Sequence, residues 1–196
     1  MASINLDLSE ANIPIGKMNP ALKLTRDTWI ISDTHFGHTN IIKYCNRPYA
    51  HNTIMLNNWR ERIKPSDTVL HLGDVTIWHR THTTWANTVA KLPGKKFLIL
   101  GNHDEQWTPK QWRTIADFLV TEPFVWTPEN WQARILFSHE PGMPSGKWEY
   151  NVHGHTHNHK PFRRYERLQT TYYNVSIEGM DYKPVRLGEI LDELAS

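Results

Sequence analysis

The sequence predicts an α/β fold built as a two-sheet sandwich with helices on the outer faces. Strand and helix patterns alternate through the first half of the chain, and the second half is mostly strand. Short apolar runs also lead directly into polar loops that begin with aspartate, asparagine or histidine.

Each element has its own signal in the chain. Residues 1–25 carry Pro14, Gly16 and Pro20 without a clean period and read as an irregular leader before a single domain over 26–196. Thr28–Ser32 is β-branched and apolar, as a buried strand requires. Asn52–Ile63 places Ile54, Met55, Trp59 and Ile63 near one helical face, and Pro65 stops that helix. Thr68–Leu72 is the second strand, Thr81–Leu92 a helix closed by Pro93-Gly94, and Lys96–Leu100 the third strand. Pro109–Phe118 reads as a short helix with proline in its first turn. Leu119–Trp126, Ala133–Phe137, Tyr150–His153 and Thr171–Ile177 read as strands, and Leu187–Leu194 as a closing amphipathic helix.

Composition narrows the class. At 196 residues, with 39% hydrophobic and 21% charged, the chain suits one folded domain and is too apolar for disorder. A net charge of +2 does not call for nucleic acid. One cysteine, Cys45, excludes a disulfide framework and a thiolate zinc site and suits a reducing compartment. Met1–Glu10 lacks the basic and apolar regions of a secretory signal, and no apolar run nears the roughly 20 residues that span a bilayer. A soluble, cytoplasmic protein is expected, with neither a membrane nor an obligate protein partner.

The chemistry lies in the strand endings: Asp33-x-His35, Gly73-Asp74, Gly101-Asn102-His103-Asp104, Ser138-His139 and Gly154-His155-Thr156-His157. In open α/β sheets ligands bind at the carboxyl ends of strands, so adjacent strands would bring these loops together. In extended chain, residues i and i+2 point the same way, so Asp33 with His35, and His155 with His157, could each turn two donors to one place. Taken singly each fragment has a bland reading as a cap, a turn or a surface histidine. Their joint order at successive strand ends does not.

Asp-x-His, Gly-Asp, Gly-Asn-His-Asp, a separate His and Gly-His-x-His in this order resemble the calcineurin-like metallophosphoesterase superfamily, from Ile30 to His157. Ser32–His38, Asn174-Val175-Ser176 and Tyr182–Val185 are similar to its small single-domain bacterial and phage members. The resemblance implies the two-sheet α/β sandwich and two divalent cations. One would be held by Asp33, His35, Asp74 and His157, the other by Asp74, Asn102, His139 and His155. It implies His103 as the acid toward the leaving group, with Asp104 orienting it, and a hydroxide shared by the cations as nucleophile. An oxygen and imidazole set suits Mn, Fe, Ni or Zn, and Mn²⁺ is favoured because carboxylate, amide and water ligands suit it.

The substrate implied is a phosphoester, possibly a nucleotide or oligonucleotide. Ser/Thr protein phosphatases of the superfamily carry Asp-Arg-Gly after the second motif and Glu at the position of Asp104. Here Val75-Thr76-Ile77-Trp78 follows, and aspartate stands at 104, which argues against that class. Small relatives without a cap domain often cleave phosphodiesters, so the resemblance implies a phosphodiesterase first. A phosphomonoesterase is the alternative. A silent scaffold or nucleic-acid-binding protein on the same fold is the alternative from another class.

His38 and Arg47 follow the first motif and are candidates for phosphate binding. Lys160, Arg163, Arg164 and Arg167 could line a track for an anionic substrate or lie on a solvated hairpin. His51, His79, His82 and His159 read as surface residues, and His71 and His153 as strand histidines satisfied near the core.

Overall fold

The structure is a computed structural model, described over residues 22–76, 84–104, 112, 114–120, 122–158 and 170–196, with the backbone of 162–165. Its first sheet runs in the order β10-β1-β2-β3-β4, with β1 Trp29–Ile31, β2 Thr68–His71, β3 Lys95–Ile99, β4 Phe118–Val120 and β10 Val185–Arg186. Strands β1 to β4 are parallel and β10 is an antiparallel edge. The second sheet runs β5-β6-β7-β9-β8, with β5 Phe124–Trp126, β6 Ile135–Phe137, β7 Tyr150–His153, β8 Phe162–Tyr165 and β9 Thr170–Asn174. Its central β6, β7 and β9 are parallel, between antiparallel edges.

Strand alternation explains the layers. Ile30, Leu70, Phe97 and Ile99 face one way, into a core shared with Phe137, Val152 and Tyr173 of the second sheet. Trp29, Ile31, Val69 and Leu98 face the other way, where helices cover them. Residues two apart share a face, so each apolar run serves two cores. On the outer side, α2 (His51–Arg62) buries Met55 and Trp59 one turn apart, and α3 (Thr84–Ala90) buries Ala86 and Val89. Trp59 also donates its indole N–H to Pro93 O at 2.9 Å, which ties α2 to the turn before β3. At the C-terminus, α4 (Leu187–Ala195) turns Leu187, Ile190, Leu191 and Leu194 into the inter-sheet core. Each such side chain contributes about 1.5–3 kcal/mol when fully buried.

Two predicted elements differ, and the start of a third lies outside the described residues. Leu119–Trp126 is two strands in two different sheets. Pro123, which lacks an N–H for a ladder, stands in the segment where the chain leaves the first sheet for the second. The helix placed over Pro109–Phe118 is helical at 112, 114 and 115 and ends before Asp117, with Phe118 opening β4, while 109–111 and 113 lie outside the described residues. The helix expected from Thr81 is described from Thr84. Strands β8 and β10 and the one-turn helix α1 (Ile41–Tyr44) had no clear period to mark them. Leu22 and Leu24, the described end of the leader, are buried in the inter-sheet core. Among the described residues no helix is long and apolar enough to cross a membrane.

Parallel pairing brings the ligand-bearing loops to one side. Ile31, His71 and Leu98 sit in register across β1, β2 and β3, so the three loops after them leave one edge together. Loops after β6, β7 and β9 do the same in the second sheet. A parallel bridge between Ser32 and Ser176 joins the sheets there.

Candidate metal centre

At this shared edge the loops bring together all seven side chains expected to hold cations. Asp33, His35 and His157 offer donor atoms within 4.8 Å of one another, and so do Asp33, Asp74 and His139. Asp74 Oδ2 stands 3.4 Å from His35 Nε2 and 3.5 Å from His139 Nε2, between the two groups. Asn102 Oδ1 is 3.0 Å from His139 Nε2 and 3.0 Å from His155 Nδ1. His139 Nδ1 is engaged 2.7 Å from Leu72 O, which leaves Nε2 to face the centre.

The convergence does not come from extended chain. Asp33, His35, Asp74, His155 and His157 all have positive φ, between 45° and 68°. Non-glycine residues there carry a strain of about 1–3 kcal/mol each, and such outliers cluster at functional sites. The i, i+2 pairs therefore meet at the centre through tight left-handed turns, which no apolar period announces. Gly154 allows one of these approaches, since a Cβ there would collide with Ser32 Oγ and Asp33 Oδ2.

Neighbours hold the strained loops in place. Arg47 is buried, and its guanidinium donates to Asp33 O at 2.6 Å and Thr34 O at 2.8 Å while pairing with Glu178 at 2.7 Å. With its donors spent on the loop, it is not free to bind phosphate as the sequence suggested. Glu178 Oε1 also lies 3.0 Å from His157 Nδ1. Ser176 Oγ donates to Asp33 Oδ2 at 3.0 Å and accepts from His157 N at 3.2 Å. Sequence reasoning missed Glu178 and noted Ser176 only as part of a family-like segment. Cys45 lies close to His157 and Glu178.

Asp104 also differs from expectation. Fully buried, its carboxylate accepts from Asp74 N at 2.6 Å, Gly101 N at 2.9 Å and Val75 N at 3.2 Å. These bonds lock the second and third loops to each other, and no bond to the His103 ring is described. Burial and the nearby Asp74 push its carboxyl up to about 7, against the pull of the amide donors. His103 itself is exposed, its ring 5.3 Å from that of His35, and its N–H donates to Asp74 Oδ1 at 3.0 Å. His38 is half-buried on the same flank, between His35 at 5.8 Å and the exposed ring of Tyr44 at 6.1 Å. His51, expected at the surface, is buried at the start of α2, its Nδ1 3.1 Å from Pro48 O. His79, His82, His159, Lys160 and Arg167 lie outside the described residues, and Arg163 and Arg164 fall on β8.

The charges suit cation binding. Burial drives the His35 imidazole well below its usual range and keeps it neutral. Burial opposes ionisation of Asp74 too, but the hydrogen bond and charge of His139 outweigh it and hold the carboxyl low. Burial also works against His139, yet Asp74 and Asp33 lift that ring to about 9. In His157 the same contest is won by Cys45, Glu178 and Asp33, which lift it to about 10. Asp33 Oδ1 and both ring nitrogens of His35 are buried without a hydrogen-bond partner. Leaving such groups unsatisfied costs about 1–3 kcal/mol each. A divalent cation beside them would satisfy them, so the donor set fits the group.

Two β-sheets that meet at an edge carrying an Asp/His/Asn cluster form a candidate site for divalent cations. Residues 27–181 match the calcineurin-like phosphoesterase family, and the chain belongs to it. It is 30% identical over 174 residues to the Uncharacterized protein MJ1445 of Methanocaldococcus jannaschii, covering 85% of this chain and 90% of that one. Similarity to the Gene 66 protein of Mycobacterium phage D29 is 27% over 158 residues, covering 67% of this chain and 78% of that one. The crystal structure of the protein of unknown function AQ665 from Aquifex aeolicus superposes with a TM-score of 0.71 at 28% identity. It covers 85% of this chain and 98% of its own.

Proposed function

We propose that the protein is a phosphodiesterase dependent on two divalent cations. The observation that carries this reading is the set of buried, unpartnered donors on Asp33 and His35 amid Asp74, His139 and His157. Asp33, His35, Asp74 and His157 would hold one cation, and Asp74, Asn102, His139 and His155 the other. Cations bound there neutralise phosphoryl oxygens and acidify water. Mn²⁺ is the favoured ion, because carboxylate, amide and water ligands suit it.

The chain's own part is to position and to move a proton. His103, exposed at the mouth beside His35, reaches the leaving oxygen of a bound ester. A water oxygen forms the new bond to phosphorus as the bond to the leaving alcohol breaks. His103 in its protonated form gives that alcohol its proton, and the water releases one to solvent. Asp104 acts at a distance, by fixing the amides of Asp74 and Gly101 and so the loops that carry Asp74 and Asn102. His38, half-buried on the same flank with its ring 5.8 Å from that of His35, is the further candidate to touch the ester.

Hydrolysis of bis(p-nitrophenyl) phosphate tests the proposal, with p-nitrophenyl phosphate as the monoester comparison. Turnover should vanish with chelator and return with Mn²⁺. No hydrolysis with Mn²⁺, Fe²⁺, Ni²⁺ or Zn²⁺ would sink it, and preference for the monoester would make the protein a phosphomonoesterase.

A further inference from the structure

Beside Asn102 and His139 the surface opens into a cleft of about 230 Å³. Leu100, Pro123, Ser138 and Glu140 line it with them, above the buried end of β3 at Ile99. His35, His38 and His103 are not among its walls. The cleft is therefore a second space adjoining the centre, separate from the flank that holds the acid.

The far wall is built rather than loose. Asn151 is fully buried, and its amide donates to Ser138 Oγ at 2.9 Å while accepting from Gly142 N at 2.7 Å. Ser138 Oγ in turn donates to Glu140 O at 2.6 Å, and the Tyr172 hydroxyl donates to Gly142 O at 2.7 Å. The His139 ring is set by Leu72 O, on the other sheet. The bonds to residues 140–142 are therefore not what aims that ring. They fix the shape of the wall.

We infer that this cleft is the subsite for the retained ester arm of a phosphodiester, and that it takes one compact, uncharged arm no larger than a single nucleoside. The inference rests on the phosphodiesterase reading and names its substrate class. A monoester has no second arm, so it needs no such space. In a diester the leaving group goes to His103, and the other arm must lie elsewhere against the centre. Only modest room is present, less than the roughly 300–1,000 Å³ of drug-sized sites. Ile99, Leu100 and Pro123 give the cleft an apolar side. Glu140 is exposed in its wall, and among the described residues no lysine or arginine lines it. A second phosphate there would meet a carboxylate, so an arm that continues as an anionic strand is disfavoured.

Steady-state kinetics with Mn²⁺ tests this on thymidine 5′-(p-nitrophenyl phosphate), its 3′-phosphorylated form, and methyl p-nitrophenyl phosphate. Wild type should favour the uncharged thymidine arm over the 3′-phosphorylated one by at least tenfold in kcat/KM, and E140Q should narrow that ratio. Pro123 is exposed, so P123W can fill the cleft without disturbing the core. It should raise KM for the thymidine diester at least tenfold relative to the methyl diester, with kcat less affected. Ratios that move in neither variant would overturn the inference. Calorimetric binding of thymidine 5′-monophosphate to Mn²⁺-loaded wild type and P123W gives a reading independent of turnover. Absence of hydrolysis defeats the phosphodiesterase reading. Equal nucleotide affinity in the two proteins, or none in either, defeats the subsite.

Discussion

Nδ1 of His157 lies 3.0 Å from Oε1 of Glu178, and the same oxygen pairs with Arg47 at 2.7 Å. The bond fixes the ring so that Nε2 is turned toward Asp33, 3.9 Å away. Carboxylates behind a ligating histidine set its orientation and basicity, and their loss costs 10–100-fold in metal affinity. E178Q should therefore weaken cation binding at Asp33, His35 and His157 by about that factor. Competition against a fluorescent chelator measures it. An unchanged affinity would assign Glu178 to folding alone.

Arg47 should matter for stability before it matters for substrate. Its removal takes one of the two cationic neighbours of Glu178, leaving only His157, and releases the Asp33 and Thr34 carbonyls. Breaking a buried pair from one side costs about 3–5 kcal/mol. R47A should show that loss in a urea titration of the metal-free protein. A variant with wild-type stability and only a raised KM would restore the phosphate-binding role.

Cation binding should release protons. His139 and His157, at about 9 and about 10, carry protons at neutral pH that a cation must displace. Their pKa values are raised, so the competing imidazolium fades as pH climbs toward those values. Affinity for Mn²⁺ should rise steadily from pH 6 to pH 9. Calorimetry in two buffers of different ionisation enthalpy counts the protons, and a heat independent of buffer would contradict this.

H103A should spare the cations and lower turnover. The ring is exposed and only its backbone N–H touches Asp74, so the donor cluster survives its loss. General acid catalysis contributes about 10²–10⁴-fold, and kcat for a diester with a poor leaving group should fall by that factor. A smaller effect with p-nitrophenol, which needs little protonation, would mark the role as acid. Equal effects on both leaving groups would refute it.

The parts of this architecture that obey a period could be read in the chain. Ile30, Leu70 and Phe97 alternate with Ile31, Val69 and Leu98, and that alternation places β1, β2 and β3 with both faces buried. The loops after them carry the ligands because parallel strands end on one side. What escaped is what depends on tertiary partners. Arg47 looks like any loop arginine until Glu178, far along the chain, is folded against it. Asp104 looks like a partner for its neighbour His103 until the turn aims its carboxylate at the Asp74 and Gly101 amides. The break between Val120 and Phe124 is hidden because both sides are apolar and only the short Thr121-Glu122-Pro123 run interrupts them.

His71 gives the last prediction, because geometry fixes its protonation. Its Nδ1 accepts from Gly73 N at 3.2 Å. Thr34 Oγ1 donates to Val75 O at 2.7 Å, so at 3.0 Å it accepts from His71 Nε2. The neutral tautomer is thus satisfied at both nitrogens, and a second proton has nowhere to go. Burial is the main cause that drives the ring from 6.5 down to about 3, against a weaker opposite pull from Asp74. The unfolded chain takes up a proton below pH 6.5 that the folded chain refuses until about pH 3. Stability should fall as pH drops through that window, by up to about 1.4 kcal/mol per pH unit from this residue. Urea titrations of metal-free wild type and H71Q at pH 7.5, 5.5 and 4.5 isolate the contribution. The wild-type curve should be the steeper of the two, and parallel curves would show that His71 is protonated in the folded protein.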